Sequence, residues 1–146
     1  MDEKNCGTIG RKTVIAIEAL LKNQSQGRFG RHRTMKGVSM KKINCRHIPL
    51  EIMQRIRACG KSVKSFFIIK ANRPIPVHLH DKAGEMYLGG DGGMVTLQNP
   101  AQNQVNHVMR MNVFTVVDTG GFHGVNLYSP IKEIIFLGIK FNEEMS

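Results

Sequence analysis

Residues 78–85 read HLHDKAGE, and this segment decides the fold that we expect. On a β-strand, residues i and i+2 point to the same face, so His78 and His80 place two imidazoles side by side. Glu85 begins the next predicted strand, where a turn can bring its carboxylate back beside the two rings. The segment therefore predicts a ligand-binding site between two neighbouring strands.

A third imidazole lies far along the chain, in the segment Gly120-Gly121-Phe122-His123. Three neutral nitrogens and one oxygen suit Mn, Fe, Co, Ni or Zn, whereas an all-oxygen site would suit Mg or Ca. We therefore expect one divalent transition metal, bound by the four residues His78, His80, Glu85 and His123.

The pattern around these residues is that of short strands separated by Gly, Pro, Asn and Asp. Several such strands without intervening helices predict an antiparallel barrel or sandwich. Helical periodicity occurs earlier, at Arg11–Asn23 and at Pro49–Cys59. The predicted strands are Ser65–Lys70, Pro76–His80, Glu85–Leu88, Met94–Gln98, Val105–Val117 and Ile131–Phe141.

The segment that contains the paired histidines resembles the first motif of the cupin superfamily. That motif runs glycine, five residues, H-x-H, three or four residues, glutamate, six residues, glycine. The chain matches it at His78, His80, Glu85 and Gly92, and has Asn72 at the leading glycine.

The second cupin motif runs glycine, five residues, P-x-G, two residues, histidine, three residues, asparagine. The chain keeps Gly120 and His123. The other three positions differ, with Asn112, Asp118 and Leu127 where the family has glycine, proline and asparagine.

The resemblance implies an all-β core, a double-stranded β-helix or jelly-roll barrel, over about residues 65–142. The helical periodicity predicts one or two N-terminal helices outside it. It also implies a metal (Mn, Fe, Ni or Zn) in the barrel mouth, with two open coordination positions for a small-molecule ligand. Single cupin barrels commonly pair, so a homodimer is expected.

The resemblance leaves three functions open. The favoured one is a metal-dependent isomerase or epimerase that acts on a small oxygen-rich substrate such as a sugar, with Glu85 or Tyr87 moving the proton. The second is an Fe(II) dioxygenase, and the third is a non-catalytic binding or regulatory module with a basic N-terminal arm. In the enzymes, Arg110 is the candidate that would meet an anionic substrate.

The formal charge of +10 is concentrated in the first part of the chain. Residues 1–66 carry 15 Lys and Arg against 4 Asp and Glu, while residues 67–146 carry 6 against 7. We therefore expect residues 1–39 to be a basic, flexible extension and residues 40–146 to form the cupin domain. A nucleic-acid partner is conceivable but not favoured, because no aromatic residues alternate with the basic ones and no helix-turn-helix is evident.

The three cysteines, Cys6, Cys45 and Cys59, are odd in number and lack a C-x-x-C spacing. Reduced thiols are therefore expected. No apolar run reaches the roughly 18 residues of a membrane span, and no secretion signal is convincing. We expect a cytoplasmic protein without a membrane segment.

Overall fold

The computed structural model describes residues 6–27, 29–31, 36–79, 84–91, 93–98, 104–117, 122–127 and 133–143. Two α-helices and ten β-strands lie within these ranges. The helices are α1 (Arg11–Gln24) and α2 (Leu50–Ala58), and the strands are β1 (Gly30–Arg31), β2 (Val38–Ile43), β3 (Lys61–Ala71), β4 (Ile75–Leu79), β5 (Gly84–Gly89), β6 (Gly93–Gln98), β7 (Gln104–Val108), β8 (Thr115–Val117), β9 (Phe122–Leu127) and β10 (Ile134–Glu143).

The strands form two antiparallel sheets. The larger has the order β1-β2-β3-β10-β5-β8, and the smaller has the order β4-β9-β6-β7. Consecutive strands β3 to β6 alternate between the sheets, which is the winding of a jelly roll. The expected all-β core with two N-terminal helices is therefore confirmed.

The two faces of the larger sheet pack against different partners. In β10, alternate side chains divide between two hydrophobic clusters: Leu137 and Ile139 join the helices, whereas Ile134 and Phe136 join the smaller sheet. This division follows from the two-residue period of a strand. We call the helix side the outer face and the side toward the smaller sheet the inner face.

The N-terminal helix is part of the same core. Ile17 and Leu21 of α1 are buried in the outer-face cluster together with Ile52 and Ile56 of α2. The expected boundary at residue 39 falls inside β2, which pairs with both β1 and β3. Among the described residues, packing therefore continues across that boundary.

Cys6 and Cys59 form a disulfide, with their Cα atoms 5.5 Å apart. The expectation of reduced thiols is wrong for these two residues, and Cys45 is an exposed free thiol. Packing of α1 beside α2 brings the pair together across 53 residues of sequence, a contact that spacing alone does not reveal. Such a cross-link typically stabilises a fold by about 2–4 kcal/mol.

Two strand predictions need correction. The single strand predicted over 105–117 is two strands, β7 in the smaller sheet and β8 in the larger, because the chain crosses between the sheets there. The segment 122–127, which was not predicted as a strand, is β9 at the centre of the smaller sheet. Within the described part of the chain, neither helix has the length and hydropathy to cross a membrane.

Candidate metal centre

Two of the predicted ligands lie side by side in the smaller sheet. His78 of β4 and His123 of β9 are direct register partners, and their ring centroids are 4.4 Å apart. Gly124 permits this approach, since a Cβ atom there would lie 2.8 Å from the carbonyl oxygen of Ile75. The missing side chain at Gly124 therefore lets β4 pack closely against β9 beside the two imidazoles.

The third predicted ligand comes from the opposite sheet. Glu85 of β5 points inward, and its Oε1 lies 3.2 Å from Nε2 of His123. The two residues are only 7% and 1% exposed. A carboxylate buried this deeply requires hydrogen bonds or a cation, because transfer of an ionised group from water into an apolar interior is strongly unfavourable.

The orientation of His78 is fixed by its own strand. Its Nδ1 lies 2.7 Å from the carbonyl oxygen of Pro76. A carbonyl oxygen can only accept, so Nδ1 carries the proton and donates it. Nε2 then holds the lone pair, which is the arrangement that a metal-binding histidine requires.

The ligand atoms of His78, Glu85 and His123 all lie within 4.8 Å of one another. With bonds of about 2.1 Å, an octahedral ion holds neighbouring donors about 3.0 Å apart and opposite donors about 4.2 Å apart. The 3.2 Å contact between His123 and Glu85 fits neighbouring positions. The two nitrogens and one oxygen are also a donor set of transition metals, so the chemistry of these three residues fits such an ion.

Two further residues were predicted to serve this centre, and the structure describes one of them. His80 lies outside the described residues. Arg110 has an exposed side chain, and its carbonyl oxygen accepts a hydrogen bond from the backbone N–H of Gly89, at the opposite end of β5 from Glu85. Four residues of strand separate Gly89 from Glu85, about 13 Å. His107, another histidine of the chain, is exposed on β7.

Tyr87 lies two residues beyond Glu85 on the same inward face and is 4% exposed. Its hydroxyl donates a hydrogen bond to the Glu85 carboxylate. Burial, and then the negative charge of Glu85, raise the pKa of Tyr87 well above its ordinary value of 10.0. Tyr87 therefore remains a neutral donor that holds the carboxylate in place.

Lys140 is a polar residue beside the centre that the sequence reasoning missed. It is the register partner of Glu85 on β10, and its Nζ lies 5.3 Å from the centroid of the Phe67 ring. The alternation Phe136, Gly138, Lys140 on the inner face was the available signal. The sequence analysis treated Ile131–Phe141 only as a strand and named no functional residue in it.

No protein-family model matches the chain, and no curated protein matches it. Several solved structures do match the chain. The non-heme α-ketoglutarate-dependent epimerase SnoN from nogalamycin biosynthesis is 9% identical, with a TM-score of 0.73 over 92% of this chain and 75% of the epimerase. A 2OG-Fe(II) oxygenase-family oxidoreductase from Burkholderia pseudomallei is 15% identical, with a TM-score of 0.66 over 90% of this chain and 78% of that protein.

Oxalate oxidase in complex with glycolate is 17% identical, with a TM-score of 0.52 over 80% of this chain. The chain spans 56% of that enzyme's length. Identities this low show a common fold and do not show a common activity. These neighbours are cupin-fold proteins, and the chain has the cupin fold.

Proposed function

We propose that this cupin-fold chain is a metal-dependent enzyme that acts on a small oxygen-rich substrate. The observation that carries the proposal is the convergence of His78, Glu85 and His123 from two sheets onto one point beside the inner hydrophobic cluster. A purely structural role would not require three metal-compatible donors within 4.8 Å of one another.

His78, Glu85 and His123 would hold one divalent Mn, Fe, Ni or Zn ion, and His80 is proposed as the fourth ligand. An ion bound there supplies a Lewis acid and a template for substrate oxygens. The Nδ1 bond of His78 to Pro76 orients one ligand, and the Tyr87 hydroxyl orients another. Such outer contacts fix the geometry and the basicity of metal ligands.

Glu85 and Tyr87 remain the proposed proton-handling residues. The two lie on one face of β5 and share a hydrogen bond. Tyr87 also packs edge-on against Phe136, with ring centroids 5.2 Å apart. The apolar wall of the inner face limits access of water to that proton, which favours controlled transfer over exchange with solvent.

Two reaction classes fit this arrangement. Isomerisation or epimerisation of a sugar or sugar derivative follows from the sequence resemblance. Oxygen chemistry at Fe(II) is favoured by the structural neighbours, among which the epimerase binds Fe3+, α-ketoglutarate and nogalamycin RO, and another belongs to the 2OG-Fe(II) oxygenase family. Homodimer formation stays a prediction, and sedimentation at several protein concentrations tests it.

The proposal is tested by metal content. Untagged protein purified without chelators is analysed by plasma mass spectrometry, beside His78→Ala and the control His107→Ala. We expect about one equivalent of Fe, Mn, Ni or Zn per chain in the wild type and in the control, and loss of that metal in His78→Ala. Iron would favour oxygen chemistry, and Mn, Ni or Zn would favour isomerase chemistry.

A chain that neither contains metal nor takes it up on titration would overturn the proposal. The cupin barrel would then serve as a binding module.

A further inference from the structure

A cationic side chain lies beside the candidate metal centre. Lys140 lies directly opposite Glu85 across the β5–β10 pair. Side chains of directly opposed residues point to the same face, with Cβ atoms about 4.5–5.5 Å apart. Phe136, four positions earlier on the same face of β10, is buried in the inner cluster. Lys140 therefore enters the space between the two sheets, beside the carboxylate.

The ammonium of Lys140 has no carboxylate partner among the described residues. Its charge contact there is the Phe67 ring, 5.3 Å from Nζ to centroid. Glu85, the neighbouring acid, is instead engaged by His123 and Tyr87. A half-buried cation whose charge contact among the described residues is an aromatic ring can accept an anionic group from a ligand.

A second lysine extends this positive region. Lys42 of β2 is the register partner of Phe67, so its exposed side chain shares the inner face on the far side of the ring. Among the described strand residues, the charged side chains of the inner face are Glu85, Lys42 and Lys140. A divalent ion at the centre would add two positive charges against the single negative charge of Glu85.

We propose that Lys140 is a specificity residue that binds an anionic group of the substrate. The substrate then has two parts: an oxygen pair that chelates the metal, and a carboxylate or similar anion that reaches Lys140. A neutral sugar lacks the second part, so this inference narrows the substrate to acidic, oxygen-rich molecules such as hydroxy acids or sugar acids. It rests on the proposed metal-dependent function.

Two pairs of α-hydroxy acids are suitable probes. Malate and lactate share the chelating end, and malate alone has a second carboxylate; 2-hydroxyglutarate and 2-hydroxybutyrate form the same pair with a longer reach. Their binding is measured by calorimetry on protein that carries one equivalent of Zn(II), a metal without redox chemistry. We expect at least one dicarboxylate to bind about tenfold more tightly than its monocarboxylate partner.

In Lys140→Met, which keeps an apolar stem, we expect this preference to fall within about twofold, with zinc affinity and monocarboxylate binding unchanged. Lys140→Arg should restore it. The matched control is Lys70→Met, because Lys70 also lies over an aromatic ring, Phe29, at 5.4 Å, but on the outer face beside Ser25. The control should keep the full preference.

The outcomes separate this inference from the proposed function. If the wild type binds zinc but shows no dicarboxylate preference, or if Lys140→Met keeps the preference, the assignment of Lys140 is wrong and the metal centre stands. If the wild type binds no zinc at His78, Glu85 and His123, the proposed function is wrong and the role of Lys140 is withdrawn with it.

Discussion

One strand, β5, contributes to two different regions of this molecule. On the outer face Met86 and Leu88 are fully buried against the helices, and on the inner face Glu85 and Tyr87 are almost as deeply buried against the smaller sheet. At Met86 and Leu88 the outer face is apolar, and the energy there comes from removal of that surface from water. The inner region contains a hydrogen-bonded carboxylate that no apolar core needs.

The contrast between the two faces of β5 shows that burial alone does not identify the role of a residue. All six residues of β5 are buried, yet alternate positions have opposite chemistry. A buried polar network stabilises a fold only if every member is satisfied, and replacement by apolar residues is often neutral. Polar residues retained at such positions indicate function, and the apolar ones indicate architecture.

The largest effect expected is on metal affinity in Glu85→Gln. The amide keeps the shape of the side chain but lacks the charge, so we expect metal affinity to fall at least about a hundredfold. Stability of the metal-free protein should be unchanged or slightly higher, since a buried charge is removed. The control is Met86→Leu, the adjacent residue on the other face. Equal metal affinity in the two variants would contradict the claim that the inner face of β5 alone binds the metal.

Leu88→Ala should lower the stability of the fold and leave metal affinity unchanged. Removal of a fully buried leucine side chain typically costs about 2–5 kcal/mol in the free energy of unfolding. Urea denaturation measures that loss, and metal titration of the folded protein should give the affinity of the wild type. A large loss of metal affinity in the folded variant would mean that the two faces are coupled rather than separate.

Tyr87→Phe is expected to have a smaller effect at the inner face. The variant keeps the ring against Phe136 and removes the hydroxyl that donates to Glu85. We expect metal affinity to fall about tenfold, with a change in stability near 1 kcal/mol. Unchanged metal affinity would show that the hydroxyl does not position the carboxylate.

The smallest effect concerns acid stability of the helix layer. Hydrogen bonds from Thr13, from Arg55 and from the backbone N–H of Gly10 hold the pKa of Glu51 below its ordinary value of 4.5. The contacts from Thr13 and Gly10 join α1 to α2. Their contribution is complete above pH 4.5 and is lost as the pH falls through the lowered value.

When the pH falls below 4.5, the free energy of unfolding of Glu51→Gln should therefore decrease less than that of the wild type. The difference should be below about 1 kcal/mol because the group is largely hydrated. Chemical denaturation at several pH values measures it, with Glu18→Gln on the exposed side of α1 as control. An identical acid profile for Glu51→Gln and the wild type would contradict the assignment.

The site was more predictable from the sequence than its surroundings. The i, i+2 spacing of His78 and His80 and the position of Glu85 after a turn are local, and β geometry constrains where they point. His123 was identified from a partial motif, and the structure places it beside His78 and Glu85. His80 lies outside the described residues, so its role stays a prediction.

Features that depend on contacts far apart in sequence were not predictable. The Cys6–Cys59 bond requires α1 to fold back onto α2, and nothing local encodes that return. The premise of reduced thiols behind the expected cytoplasmic location is wrong for this pair, and the location stays a prediction. Arg110 was chosen for its charge, whereas the register that places Lys140 opposite Glu85 becomes visible only once the strands are paired.

The most direct test of the metal centre is a crystal structure with data collected at the absorption edge of the bound metal. We predict one anomalous peak about 2.0–2.3 Å from Nε2 of His123, from a nitrogen of His78 and from a carboxylate oxygen of Glu85. A peak elsewhere in the chain, or full loading of the protein without a peak between these three side chains, would contradict the account.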